Sequence, residues 1–272
     1  MRPKWRQLGA TLVVVTVFIS FRLIAQDVQP TIVLFQNVRV FDGKSGTLSG
    51  PSNVLVRGNK IERISTAPIP TDRSAKTQII DGGGRTLMPG LIDVHWHAML
   101  IRVTPAESFG DVGYNNLVAG AEAQDTLMRG FTTVRDVGGP VFGLKHAIDN
   151  GTVVGPRIYP SGAVITVTSG HGDFRQLTDG GPLTRWEQIG GMAIADSPDE
   201  VRVRVREQLM QGASQIKLTA GGGVSSPFSP IDVVTFTEPE LRAAVEPPKT
   251  GALALPCMPS RPKRSSRPLR QE

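Results

Sequence analysis

The sequence is poor in the side chains and runs that mark several classes of protein. It has a single cysteine, Cys257, which excludes an intrachain disulfide and a cysteine-based zinc cluster. The uncharged apolar stretch at residues 8–21 is shorter than the roughly 20 residues that span a bilayer. The net charge of +6 is concentrated near the two ends, so we expect no nucleic-acid partner. Histidine is also rare, with four in 272 residues, yet His95 and His97 lie one residue apart.

Residues 1–26 have the pattern of an export signal. Three basic residues precede the apolar stretch and a polar segment follows it, as in a secretory signal peptide. Ala25 suits the small-residue position of a cleavage site, whereas Leu23 is bulky, so an uncleaved anchor remains the alternative. We therefore predict a signal peptide over residues 1–26 and an exported protein, either periplasmic or secreted.

Residues 27–87 are predicted to form the N-terminal part of a β-sandwich domain. Residues 31–43 are rich in β-branched side chains and end in an Asp-Gly turn signal. Residues 53–65 alternate apolar and polar side chains around Gly58-Asn59, which is typical of a hairpin. These segments predict a small antiparallel sheet of β-sandwich type.

Residues 88–246 repeat a pattern of strand, glycine-rich loop and helix. Four such units in succession favour an α/β class with parallel strands, in which the chemistry lies at the C-terminal ends of the strands. The predicted strands are 91–97, 131–139, 157–166 and 213–223. The predicted helices are 115–130, 143–151, 197–212 and 237–246, with Ser197 and Thr237 as N-caps.

His95 and His97 are the first candidate metal ligands. Side chains of a strand alternate between its two faces, so an i, i+2 pair points to the same side. Two neutral imidazoles side by side suit a divalent metal, although two histidines at a strand end are often simply exposed. The position of this pair, at the C-terminal end of an apolar strand after Pro89-Gly90, favours the metal site.

Lys217 lies in a predicted buried strand, where an unpaired charge is costly. It is either an edge lysine whose amine reaches solvent, or a lysine carboxylated by carbon dioxide that ligates metal. His171, Asp173 and Arg175 lie in a glycine-rich loop after the third predicted strand, and we assign them to substrate binding, with an ordinary turn as the alternative. For Arg135 and Asp136 a salt bridge and a functional role are both open, and His146 is expected in packing or at the surface.

Several motifs in the same order resemble the amidohydrolase superfamily, within it the imidazolonepropionase-like and Xaa-Pro-dipeptidase-like metal hydrolases. They are LMPGLIDVHWHAML, GFTTVRDVGG, GPRIYPSGAVITVTSGHGDFR and QIKLTAGGGVSSPFSPIDVVTFTEPELRAAVE. The resemblance implies a TIM barrel with a flanking β-sandwich and a binuclear divalent-metal centre, usually zinc. It implies that His95 and His97 are ligands from the first strand and that Lys217 carries a carbamate. His171 matches a loop histidine near the substrate.

The resemblance stops near residue 246. The family has further histidines on strands five and six and a general-base aspartate on strand eight, and no histidine follows His171. Residues 88–246 are therefore expected to form an incomplete TIM (β/α)8 barrel of about four units. Residues 247–272 hold six prolines in 26 residues and read as an aberrant, disordered tail.

A reading-frame shift near codon 247 is one hypothesis for this tail. The codons for residues 256–259, read from the third base, permit a histidine or tyrosine about forty residues after Lys217. Resequencing the gene through this region tests the hypothesis, and a homologous gene that matches in the present frame excludes it.

The expected function is metal-dependent hydrolysis of C–N bonds in a small molecule or dipeptide, with Xaa-Pro dipeptides as a candidate. Since no general base is identified, this chain is expected to be an impaired fragment. The alternative is a non-catalytic exported binding protein with a degenerate hydrolase fold. A homo-oligomer is a further expectation.

Overall fold

The structure, a computed structural model, describes residues 31–72, 77–178 and 183–246. The predicted signal peptide at 1–26 and the predicted tail at 247–272 therefore lie outside the described residues. The chain divides into two compact units between Pro89 and Gly90. Among the described residues, no helix combines the length and apolarity needed to cross a membrane.

A single mixed sheet makes up the described part of the first unit. Its strands are β1 Ile32–Val40, β2 Ser52–Arg57, β3 Lys60–Ser65, β4 Thr77–Asp81 and β5 Thr86–Leu87. They are ordered β3-β2-β1-β4, and β5 pairs with the far end of β1. The hairpin predicted at Gly58-Asn59 joins β2 and β3, and Gly58 has the positive φ of 59° that such a turn requires. Leu34, Leu55 and Ile69 form the core of this unit.

The prediction that this sheet is antiparallel is wrong for two of its strands. β1, β2 and β3 are antiparallel neighbours, but β4 and β5 both run parallel to β1. A tight hairpin forces a reversal of direction, whereas the longer connection after β3 lets β4 reach the opposite edge of β1 in the same direction.

The second unit is a mixed α/β fold, so the predicted class is correct. Its strands are β6 Leu91–Trp96, β7 Phe131–Asp136, β8 Arg157–Pro160, β9 Val164–Thr166 and β10 Met192–Ile194. Its helices are α1 Pro105–Ser108, α2 Val112–Met128, α3 Phe142–Asp149, α4 Arg185–Gln188, α5 Pro198–Met210 and α6 Glu238–Val245. β6, β7 and β8 pair in parallel in that order, and β9 pairs in parallel with β10.

Two of the four predicted strands of this unit differ from the prediction. The third is divided into β8 and β9 because Gly162 between them has φ 74°, which breaks the extended backbone. The fourth is reduced to two isolated bridges, a parallel one between Leu218 and Ile165 and an antiparallel one between Gly221 and Val234. The Ile165 N–H donates to the Lys217 carbonyl at 2.9 Å, so the lysine segment still lies beside β9.

One buried cluster fixes the strand ends of this unit relative to one another. Trp96, Val134 and Ile158, from β6, β7 and β8, belong to the same core. Ala119 and Ala123 of α2 are fully buried in it, and their small side chains let the helix approach the sheet closely. The predicted caps are confirmed: Ser197 accepts from the Glu200 N–H, and Thr237 forms a capping box with Glu240. The C-terminal ends of three parallel strands are thereby held side by side.

Candidate metal centre

His95 and His97 lie together at the C-terminal end of β6. Their ring centroids are 5.3 Å apart. The register of β6 on β7 is irregular between Asp93 and Trp96, and the His95 N–H donates to Asp93 Oδ1 at 2.9 Å. Bulges of this kind redirect side chains next to functional sites. His95 is exposed and His97 is half-buried, so the pair faces open space at this end of the strand.

The turn after β7 determines which nitrogen of His97 is free. Nδ1 of His97 lies 3.3 Å from the Gly138 carbonyl oxygen. Since a carbonyl only accepts, this contact requires the proton on Nδ1 and leaves a lone pair on Nε2, which is the form that ligates metal. Gly138 fits closely: a Cβ there would lie 2.5 Å from Val164 Cγ2 and 3.2 Å from the His97 ring.

The pKa shifts indicate that His97, His171 and Lys217 share one electrostatic environment. Burial lowers the pKa of His97, the Gly138 contact opposes this, and His95, Lys217 and His171 lower it further. Burial and the charge of Lys217 lower the pKa of His171. Burial and the nearby Arg135 lower the pKa of Lys217. All three shifts favour the neutral bases, the forms from which metal ligands are made.

Asp136, at the end of β7, is a residue whose part in this site the sequence pattern did not reveal. It is fully buried, and its two oxygens accept the N–H groups of Ala98, at 2.8 Å, and Gly138, at 3.2 Å. Burial raises its pKa to about 7 against these two hydrogen bonds. Arg135 instead donates its Nε–H to the Val94 carbonyl at 2.7 Å. Arg135 and Asp136 therefore each bond to backbone groups and not to each other, as the salt bridge considered for them would require.

His171 is held against the glycine-rich loop that follows Lys217. Its Nδ1 lies 3.4 Å from Ser226 Oγ, which also accepts the Gly172 N–H at 2.8 Å. A Cβ on Gly223 would lie 1.9 Å from His171 Nδ1, so only glycine permits this packing. The candidate substrate histidine is therefore positioned by the loop at 223–226. His146, by contrast, is exposed on α3.

Asp173 and Arg175, the other predicted substrate residues, are paired with each other. The Asp173 carboxylate accepts from Arg175 Nε at 2.8 Å and Nη2 at 2.7 Å, and from the Ser169 N–H at 2.8 Å. Burial alone would raise the pKa of Asp173, but these hydrogen bonds hold it below its ordinary value. Asp173 thus shapes the loop that carries His171.

Arg175 also lines an open cavity of about 710 Å³ together with Phe109, Phe174 and Arg185. Neither His171 nor Lys217 is among the described residues that line this cavity. Of the predicted substrate residues, Arg175 thus lines this cavity and His171 does not.

The donor set decides which metal chemistry this end of the fold supports. Within the described residues, no three histidine, cysteine, aspartate or glutamate side chains are grouped closely enough to hold a metal ion. An ammonium group does not ligate metal, so His95 and His97 gain a third protein donor from Lys217 only as a neutral amine or, after carboxylation, as an anionic carbamate. With that modification the set of two imidazoles and one anionic oxygen group fits a divalent ion such as zinc.

Substitution of Gly223 by alanine is expected to displace His171. The added Cβ would collide with the ring at 1.9 Å, so the ring must move and gain exposure to solvent. The pKa of His171, lowered mainly by burial, should then rise toward its ordinary value in an NMR titration. Gly221→Ala is the matched control, because its nearest neighbour, the Val233 carbonyl, is 4.0 Å away. An unchanged His171 titration in Gly223→Ala would contradict the packing described above.

Comparison with known proteins gives consistent matches. A model of the Amidohydrolase family matches residues 86–252. Ochratoxinase of Aspergillus niger is 34% identical in an alignment 184 residues long that covers 59% of this chain and 36% of that protein. The structure of a prolidase complexed with N-methylphosphonate-L-proline superposes with a TM-score of 0.73 at 35% identity, covering 79% of this chain and 53% of that one.

A Xaa-Pro dipeptidase structure with bound methionine in its active site has a TM-score of 0.66 at 30% identity, with 79% and 53% of the two chains covered. The chain thus spans about half the length of these two structures and about a third of the ochratoxinase.

Proposed function

Because the chain belongs to the amidohydrolase family, we propose that it forms the N-terminal part of a divalent-metal site that hydrolyses C–N bonds. The proposed ligands are His95, His97 and Lys217 in its carboxylated form, with zinc as the metal. The observation that carries the proposal is that the rings of His95 and His97 lie 5.3 Å apart and that Lys217 is close enough to lower the pKa of both His97 and His171. The proposed architecture is the first part of a TIM barrel.

Each of these residues has a distinct proposed task. His97 presents Nε2 because Gly138 occupies Nδ1. Bound zinc would supply a Lewis acid and would lower the pKa of a water, so that the water could lose a proton and serve as the nucleophile toward an amide carbonyl. His171, held by Ser226, is proposed to donate a hydrogen bond to the substrate. Asp173 and Arg175 are proposed to support this loop and to contact the outer part of the substrate.

Carboxylation of Lys217 requires a neutral amine. The Nζ lone pair of the neutral amine attacks carbon dioxide, an N–C bond forms as one C=O π bond moves onto oxygen, and one amine proton leaves to solvent, so the neutral amine becomes an anionic carbamate. The lowered pKa of Lys217 supports this proposal because it raises the neutral fraction at neutral pH.

The experiment that tests this function is ¹³C NMR of the chain incubated with ¹³C-bicarbonate and zinc. We expect one carbamate signal that is absent from Lys217→Ala, together with zinc binding that weakens when bicarbonate is removed. Lys145→Ala is the matched control, because Lys145 lies on α3 in an ion pair with Asp149. Retention of the signal in Lys217→Ala, or zinc binding that does not respond to bicarbonate, would exclude the carbamate.

For the substrate we propose small amides, with Xaa-Pro dipeptides first and no nucleic acid. The support is the similarity to a prolidase and to a Xaa-Pro dipeptidase, while the similarity to ochratoxinase makes ochratoxins the next class to test. Self-association is also proposed, since Ile92 and Val94 of β6 are 64% and 56% exposed.

Export to the periplasm or the medium is proposed from the basic and apolar pattern of residues 1–26. The test is to sequence the N-terminus of the mature protein recovered from the periplasmic fraction and from the medium.

A further inference from the structure

Asp136 is a buried carboxylate for which catalysis at the metal gives no direct use. Its relative exposure is 0%, and it follows Arg135 at the end of β7, on the face of the sheet opposite to the exposed Arg135 side chain. Each carboxylate oxygen accepts a hydrogen bond from a backbone N–H group, one from Ala98 and one from Gly138. A buried carboxylate that bonds only to main-chain donors acts on the position of the backbone.

The two backbone groups that it holds lie on either side of His97. Ala98 is the next residue in the chain, so its N–H fixes the peptide that follows the histidine. Gly138 supplies the carbonyl that faces His97 Nδ1. One carboxylate thus ties the end of β6 to the turn after β7, and the Val137 N–H adds a bond to the Trp96 carbonyl at 2.9 Å.

We propose that Asp136 is a positioning residue that sets the tautomer and the orientation of His97, and through them the metal affinity of the site. The inference rests on the proposed function, because it concerns the same ligand. Without the carboxylate, the Ala98 and Gly138 N–H groups lose their acceptor, the turn loosens, and the proton on Nδ1 loses its fixed partner. The direct partner of the ligand is the Gly138 carbonyl, which Asp136 holds in place, and loss of such a direct partner typically lowers metal affinity about 10- to 100-fold.

The test compares zinc affinity, by competition with a chromogenic chelator, in the unmodified chain and in Asp136→Asn. The amide has the same shape, but it offers only one acceptor atom and turns an N–H group toward the other donor. We expect zinc to bind about 10- to 100-fold more weakly. The absorption of bound cobalt should also change in shape, because the ligand field of His97 alters.

Glu122→Gln is the matched control for loss of a buried carboxylate. Glu122 is 2% exposed on α2 and is bonded to Arg102, Arg129 and Thr126, away from Ala98 and Gly138. We expect it to lower stability while zinc affinity and the cobalt spectrum stay as in the unmodified chain. Equal zinc affinity in the unmodified chain and in folded Asp136→Asn would overturn the proposal.

A second measurement needs no variant at Asp136 and applies even if that variant does not fold. ¹⁵N NMR of the histidine rings in the metal-free chain, with His97→Ala to assign the signal, should show the proton of His97 on Nδ1. A proton on Nε2 would overturn the proposal. If the unmodified chain binds no zinc, the proposed function fails, and the tautomer of His97 still decides the role of Asp136.

Discussion

Alanine at both His95 and His97 is expected to remove zinc binding, and we expect dipeptide turnover to be low both before and after this change. The two imidazoles lie together at the end of β6, and in the proposed site losing both removes two of the three protein ligands. We expect zinc affinity to fall by at least about 100-fold, which exceeds the usual effect of an indirect partner. Isothermal titration with zinc in bicarbonate buffer measures this loss.

Turnover is expected to be insensitive to this change because the described residues assemble an incomplete site. Metal-assisted hydrolysis needs a group that accepts and returns the proton of the attacking water. Asp136 does not fill this role, since both of its oxygens are occupied by backbone N–H groups away from solvent. The assay is release of proline from a panel of Xaa-Pro dipeptides by the unmodified and the doubly substituted chain.

One control variant and two contradicting outcomes make the result decisive. His146→Ala removes an exposed histidine on α3 and should leave zinc binding unchanged. Fast proline release by the unmodified chain that disappears in the double variant would show that the chain is a competent enzyme, contrary to this prediction. Zinc binding that survives the double substitution would exclude β6 as the source of the ligands.

The sequence predicted the ligand candidates because their signal is local. His95 and His97 are two residues apart in one strand, so their proximity follows from strand geometry alone. For Asp136 the sequence left a salt bridge and a functional role open, and Ser226 was not singled out, because the roles of both depend on contacts with residues far along the chain. Ser226 reaches His171 across 55 positions, and Asp136 reaches Ala98 across 38, and no period in the sequence encodes such pairs.

The errors in the fold have the same origin. Hairpins and helix caps were predicted correctly because a few adjacent residues determine them, as at Gly58-Asn59 and Ser197. The direction of β4 depends on the path of a long connection, which local patterns do not specify. The sequence shows a glycine at position 162, but it does not show that this glycine adopts a positive φ. That conformation follows from the bend between β8 and β9 in the folded chain.

The pH dependence of stability should reveal Asp136 directly. Its pKa is about 7 in the folded chain and near 3.8 when it is freely solvated, so between these values the folded state holds the extra proton. The unfolded state then binds fewer protons, and the free energy of unfolding falls as pH rises across this window. The difference of about three units between the two pKa values corresponds to about 4 kcal/mol in the free energy of unfolding. The unmodified chain should lose this amount across the window, and Asp136→Asn should not.

The unmodified chain must be compared with Asp136→Asn because other titrating groups change the free energy of unfolding in the opposite direction as pH rises. The pKa values of His97 and His171 are lowered on folding, so their contribution to stability rises as pH increases through that range. Subtracting the Asp136→Asn curve from that of the unmodified chain removes these common contributions. Urea unfolding of metal-free protein from about pH 4.5 to about pH 7.5 provides both curves.

The expected difference between the curves has a definite sign and shape. Relative to Asp136→Asn, the unmodified chain should lose stability steadily up to about pH 7 and then level off, because the carboxyl is ionised in both states above that value. Asp149→Asn, which removes a half-exposed carboxylate on α3, should retain the slope of the unmodified chain. Parallel curves for the unmodified chain and Asp136→Asn would mean that Asp136 is already ionised at low pH in the folded state. Its two backbone hydrogen bonds would then outweigh burial, and a charged carboxylate would hold the turn beside His97.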